Sequence, residues 1–158
     1  MSSLPKLALV LVVALLVAVP VALADERSEY REKVEPICKA NTEANQRILK
    51  GVKTQVQKDK LVPAGGRFIR AAGALGKAVT QIAAVPRPPA DAAKLTKWIG
   101  YLKSEKSFLQ QIGQALKAEN KFRAQKLAVK LNDNNTDANN TVLSFGFNEC
   151  RIDSSRFI

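Results

Sequence analysis

None of the 158 residues is a histidine. That absence removes the commonest general base, the usual zinc ligands and the Glu-x-x-His iron sites of carboxylate bundles. Cysteine is almost as scarce, with only Cys38 and Cys150, and no Cys-x-x-Cys spacing offers a redox pair. Aromatic residues make up 6% of the chain, too few to interleave with cations along a nucleic-acid face. No alternating apolar–polar run of useful length marks a strand. A Gly-rich phosphate loop, a Gly-x-Ser-x-Gly elbow and a paired-carboxylate constellation are all missing. The expectation is therefore a protein that is not an enzyme, with no cofactor, no metal and no nucleic-acid partner.

What the chain does have is positive charge. Lys and Arg number 25 against 14 Asp and Glu, a formal net charge of +11. A hydrophobic content of 46% with 25% charged residues is that of a folded domain, not a disordered one. The N-terminus places one cation, Lys6, before an apolar run from Leu7 to Val19, then Pro20 and Ala22-Leu23-Ala24. This order reads as a secretory signal over residues 1–24, cleaved after Ala24. An uncleaved anchor is the competing reading, if Pro20 is tolerated within a longer apolar stretch. After cleavage no segment reaches the apolar length of a membrane span, so the expected location is extracytoplasmic. In an exported chain two cysteines suggest one disulfide, here Cys38 to Cys150, joining the two ends of the mature chain. The chain-entropy model gives a closed loop of that size about 4.7 kcal/mol.

Periodicity predicts four helices behind a charged lead-in at residues 25–35, which offers Tyr30 and Val34 as apolar contacts. Pro36 suits a first helical turn. From there Ile37, Asn41, Ala44, Ile48, Val52 and Val56 form one stripe, ended by Lys58-Asp59-Lys60 and Pro63. A second helix, opening at Ala64-Gly65-Gly66, carries Phe68, Ala72, Leu75, Val79 and Ile82 and stops at Pro86-Arg87-Pro88-Pro89. Its many small residues predict a thin helix packed tightly on its neighbours. A third, from Ala90 to Ala118, carries Leu95, Trp98, Leu102, Glu105, Leu109, Ile112 and Leu116. The fourth, from Lys121 to Phe145, carries Ala124, Leu127, Leu131, Asn134, Ala138, Thr141 and Phe145. Phe108, Phe122 and Val142 widen these faces. Short connections make the parsimonious fold an all-α, up-down-up-down antiparallel four-helix bundle over residues 36–150, with a tail at 151–158. That order brings Cys38 and Cys150 to the same end.

Two features could carry function. Glu105 interrupts an apolar stripe, and Asn134 does the same on the fourth helix at the same height, with Asn41 and Asn45 nearby. Such a layer could hold a small ligand or cation, or could simply fix helix register. The second feature is a basic pole at the end away from the cysteines. Lys50, Lys53, Lys58, Lys60, Arg67, Arg70, Lys117, Lys121, Arg123, Lys126 and Lys130 gather there against only Asp59 and Glu119. A pole of this kind attracts anionic cell-wall polymer or lipid headgroups. The run Asn132 to Asn140 resembles the start of an EF-hand loop. It lacks the glycine and the closing glutamate, at Ala138 and Ser144, and it holds two N-glycosylation sequons.

Val34-Glu35-Pro36-Ile37-Cys38 and Phe145-Gly146-Phe147-Asn148-Glu149-Cys150, with the proline break before Trp98, resemble small exported helical proteins of actinobacterial type. Those proteins have one cysteine near each mature end and no assigned activity. The resemblance implies the helical fold and the disulfide and transfers no functional residue. The sequence-based expectation is an envelope binding or structural protein that docks through its basic pole. The alternative is a small-ligand or cation carrier using the layer around Glu105 and Asn134.

Overall fold

The computed structural model describes residues 18–152. The apolar run of the proposed signal lies almost wholly outside them, as does most of the C-terminal tail. Among the described residues four long helices and one short one make up the fold. They are α1 (Ala18–Leu49), the short α2 (Val52–Gln57), α3 (Leu61–Ala84), α4 (Ala92–Lys117) and α5 (Lys121–Thr141). Single 3-10 turns follow at Pro89–Asp91 and Leu143–Phe145. No strand occurs among the described residues, so the all-α expectation holds. On α3, Gly65 faces Gly113 and Lys117 of α4 while Gly76 faces Lys106, a register that runs the two helices antiparallel. With α4 packed on α5 and α1 on α3, the arrangement is compatible with the up-down-up-down order.

The core is continuous along the bundle and includes Val34, Ala64, Ala71, Ala72, Leu95, Trp98 and Ala138, all without solvent exposure. The α3 and α4 stripes lie where periodicity places them, except that Phe68 and Glu105 are only half-buried. The tight packing expected of α3 is concentrated at one residue. A Cβ on Gly65 would lie 2.5 Å from the Gly113 carbonyl oxygen, so neither helix tolerates a larger side chain at that crossing.

The first helix differs from expectation in three ways. Residues 26–35 are continuous with α1, so Pro36 sits inside a helix and not in its first turn. It faces outward, where the bond its ring removes is lost on an exposed side. The buried face is Tyr30, Val34, Cys38, Asn45 and Leu49, roughly one residue out of phase with the Ile37–Asn41–Ala44–Ile48 stripe. One residue turns a helix by 100°, and the phase is set by residues N-terminal to Pro36 together with the inward-held Cys38. Finally, α1 stops at Leu49, because Gly51 adopts φ 78°, a left-handed conformation that suits glycine. Arg67 of α3 donates to the carbonyl oxygens of Ile48 and Lys50, at 3.3 and 2.6 Å, and so satisfies that helix end. Val52 and Val56 then belong to α2, and Pro63 falls in the first turn of α3 instead of breaking a helix.

Helix α5 is shorter than expected. Phe145 belongs to the following turn, and Phe122 does not widen a buried face but stands 67% exposed. Residues 132–140 are helical throughout, not a cation-binding loop, and no cluster of metal-binding side chains occurs among the described residues.

The disulfide joins Cys38 and Cys150 across a sequence separation of 112, with their Cα atoms 5.0 Å apart. The two cysteine-flanking motifs meet there. Glu35 accepts hydrogen bonds from the backbone N–H groups of Asn148 and Glu149, and Phe147 stacks on Trp98 at 5.3 Å. Asn139 both donates to and accepts from the backbone of Ile152. Arg27 clasps Asp91, its Nη2 donating at 2.8 Å, and the guanidinium holds that carboxyl below the usual range. This end of the bundle is closed by covalent, aromatic and charged contacts together.

Candidate functional site

The first and last of the described helices, α1 and α5, make few close backbone contacts with each other. Between them lies an elongated cavity of about 350 Å³. One wall is Asn45 and Leu49 of α1 with Val52 and Val56 of α2; the other is Ala124, Ala128, Leu131 and Asn135 of α5. The floor is Leu109, Ile112 and Leu116 of α4, with Phe68 of α3 beside them. Local sequence explains the opening. The left-handed turn at Gly51 ends α1 before the bundle does, and α2 follows only as a short helix, so α1 never lies along the whole of α5. Small residues on α5, Ala124 and Ala128, leave the remaining space.

The polar layer expected inside the bundle exists, with partly different members. Glu105 lines the cavity where its apolar floor ends, and its Oε2 is buried without a hydrogen-bond partner among the described residues. Burial pushes its carboxyl up to about 8. Asn45 is 6% exposed; its Nδ2 donates to Asn41 Oδ1 at 3.3 Å, which leaves its own Oδ1 buried and unpartnered. Asn41 therefore lies behind the layer as the support of Asn45. On α5 the buried amide is Asn135, 4% exposed, and not Asn134, which is half-buried and donates to the Tyr101 carbonyl oxygen at 3.1 Å. Asn135 is in phase with Leu131, Ala138 and Val142, and that spacing was the available signal for it.

Asn45 and Glu105 also line a second, smaller cavity of about 50 Å³ on the disulfide side, together with Asn41 and Trp98. The two residues thus form a polar septum. On one side is the long apolar cavity; on the other is a small chamber bordered by Cys38 and Cys150.

The basic pole lies at the opposite end, around the α1–α2–α3 turns and the α4–α5 turn. Lys121 pairs with Asp59 at 2.7 Å, tying these two regions together. Arg67 is committed to capping α1, so it is a structural member of the pole. Lys50, Lys58, Lys60, Arg70, Lys117, Arg123, Lys126 and Lys130 are exposed. Lys53 and Lys121 line the rim of the long cavity. Lys126 sits 4.5 Å from the ring centroid of exposed Phe122. Among the described residues no helix is long and apolar enough to cross a membrane.

Comparison of the chain with protein-family models, with curated proteins and with solved structures gives no match.

Proposed function

We propose that this protein is a non-enzymatic extracytoplasmic carrier of a small, largely apolar ligand, held in the cavity between α1–α2 and α5. The observation that carries the reading is the cavity itself. It has the size of a small-molecule site, mostly aliphatic walls and a few convergent polar groups at one end. The intramolecular disulfide and the signal-like N-terminus support an oxidising compartment outside the cytoplasm. Decanol is a suitable neutral probe. It is expected to raise the melting temperature of the native protein, and Ala128→Phe, which fills the cavity from α5, is expected to abolish the shift. A shift of equal size in the variant would place binding elsewhere and sink the proposal.

A second reading concerns how such a carrier meets its surroundings. Phe122 is exposed beside Lys121, Arg123 and Lys126, and Val62 is 46% exposed at the start of α3. Exposed apolar side chains set among cations suit an anionic lipid surface, where the rings enter the interface and the charges meet headgroups. Retention on anionic vesicles should fall steeply with salt and be lost in a Lys121→Glu, Arg123→Glu, Lys126→Glu triple variant. Equal retention on neutral vesicles would rule the docking surface out.

A further inference from the structure

The cavity is not symmetric, and its polarity specifies a ligand head. Its rim holds two cations, Lys53 and Lys121, at the basic pole. At its far end stand Asn45 and Glu105, whose Oδ1 and Oε2 are buried with no hydrogen-bond donor among the described residues. The two ends are well separated: Glu105 lies eleven residues before Leu116, about 16 Å along α4 at 1.5 Å per residue. The Asn45 amide nitrogen already serves Asn41, so its Oδ1 is left as an acceptor, and Glu105 Oε2 becomes a second acceptor once the carboxyl ionises against a cationic head. Buried acceptors without donors are costly, and a ligand that supplies donors recovers that cost.

Resting on the carrier reading above, we propose that the ligand is a primary aliphatic amine, bound head-first with its ammonium on Asn45 and Glu105 and its chain along the apolar cavity. An ammonium is donor-only and positively charged, so it satisfies both oxygens and balances a carboxylate. An alcohol offers one donor and no charge. A fatty acid would have to place its carboxylate at Lys53 and Lys121 and lay its methyl end against the two acceptors, leaving both unsatisfied. Lys121 is already paired with Asp59, which weakens that alternative further.

The raised Glu105 carboxyl adds a signature. Near neutral pH the unliganded side chain is largely protonated, since burial holds it up to about 8. An ammonium at Oε2 favours the carboxylate, so binding should release a proton to the buffer. The charged groups that line the same two cavities as the septum are Lys53 of α2 and Lys121 of α5 on one side, with Glu149 and Arg151 on the chamber side. The cavity-side pair are cations at the far rim, and the chamber-side pair are of opposite sign.

The test is calorimetric titration of the full-length protein with decylammonium, decanol and decanoate, in two buffers of different ionisation enthalpy near pH 7. Decylammonium should bind about tenfold or more tightly than decanol, with a proton released. Glu105→Gln should remove both that preference and the proton release, with amine and alcohol then binding within about threefold of each other. A cooperative thermal unfolding transition like that of wild type shows that the variant is folded. Equal affinity for amine and alcohol overturns the amine assignment and leaves the carrier reading standing. Tightest binding of decanoate, weakened by Lys121→Gln, overturns it in favour of a head at the rim. Absence of binding by all three probes overturns both readings.

Discussion

Along the seam between α3 and α4, the backbones approach until each glycine occupies the space of the other's side chain, Gly65 against the Gly113 carbonyl and Gly113 against that of Gly65. Along the seam between α1 and α5, the helices stand apart around a cavity of about 350 Å³. Both seams use small residues: glycines in the first, Ala124 and Ala128 in the second. What differs is what stands opposite them. At the α3–α4 crossing a glycine meets a glycine, and the helices close. In the other seam the alanines face a helix that ends at Leu49, and farther along the same seam stands a carboxyl group that cannot join an apolar contact at no cost. Small residues make a tight interface only when their partners are complementary; otherwise they make room.

The comparison breaks most visibly at the closed seam. A Cβ on Gly113 would lie 2.7 Å from the Gly65 carbonyl oxygen and from Ile69 Cγ1. Gly113→Ala gains helix propensity of about 1 kcal/mol, but overpacking typically costs about 1–3 kcal/mol and here meets rigid backbone. The expected outcome is a net loss, up to about 2 kcal/mol, in urea unfolding. Gly73→Ala is the control. Nothing lies within 4 Å of its added Cβ, so propensity alone acts and stability should rise. Were both variants to gain stability, the close crossing would have no energetic weight.

The α3–α4 seam was the legible one. Leu95, Trp98, Leu102, Leu109, Ile112 and Leu116 recur at clean helical spacing, so α4 could be phased from sequence with Glu105 in place, and the prolines bounded its neighbour. The disulfide was equally legible, since two cysteines in an export context leave one pairing. The open seam was not. Phasing α1 required seeing that the helix passes through Pro36, which local chemistry reads as a start. Phasing α5 required choosing between Asn134 and Asn135, adjacent residues of one type with no contrast in hydrophobicity; the choice is made by Leu131, Ala138 and Val142. The cavity depends on where α1 ends relative to α5, two elements at opposite ends of the chain, and no local pattern encodes that distance. Glycine at position 51 was the one local sign that α1 stops early.

The septum offers a gentler way to sharpen the contrast, through pH. In the unfolded chain Glu105 titrates near its ordinary 4.5, whereas in the native protein burial holds it at about 8. Between those values the native state binds more protons than the unfolded state, so stability is full below about 4.5 and declines as pH rises toward 8. The cavity is open on one side, which admits solvent and discounts the effect to about 1–2 kcal/mol. Wild-type melting temperature should therefore rise on going from pH 8 to pH 5, and Glu105→Gln should flatten that slope and be the more stable protein at pH 8. Asp91 works in the opposite sense only in stronger acid, because Arg27 holds its carboxyl below the ordinary value and its contribution is lost as pH falls through that lowered range. An unchanged slope in Glu105→Gln would mean that the carboxylate is solvated and the septum wet.

The smallest expected effect is the most discriminating between the seams. Ala128→Phe adds a large side chain to α5 at the open seam, a far greater change in volume than a single methyl on Gly113. Phenylalanine is the poorer helix former by roughly 0.5 kcal/mol, and partial burial of the ring in the cavity offsets that by about 1 kcal/mol. In the absence of ligand the variant should therefore lie within about 0.5 kcal/mol of wild type, or slightly above it. A loss of 2 kcal/mol or more, on the scale of overpacking, would mean that α1 and α5 close on each other in solution and that no cavity of this size persists. A near-neutral result from the larger substitution, beside a marked loss from the smaller one, would separate a seam held at contact from a seam held open.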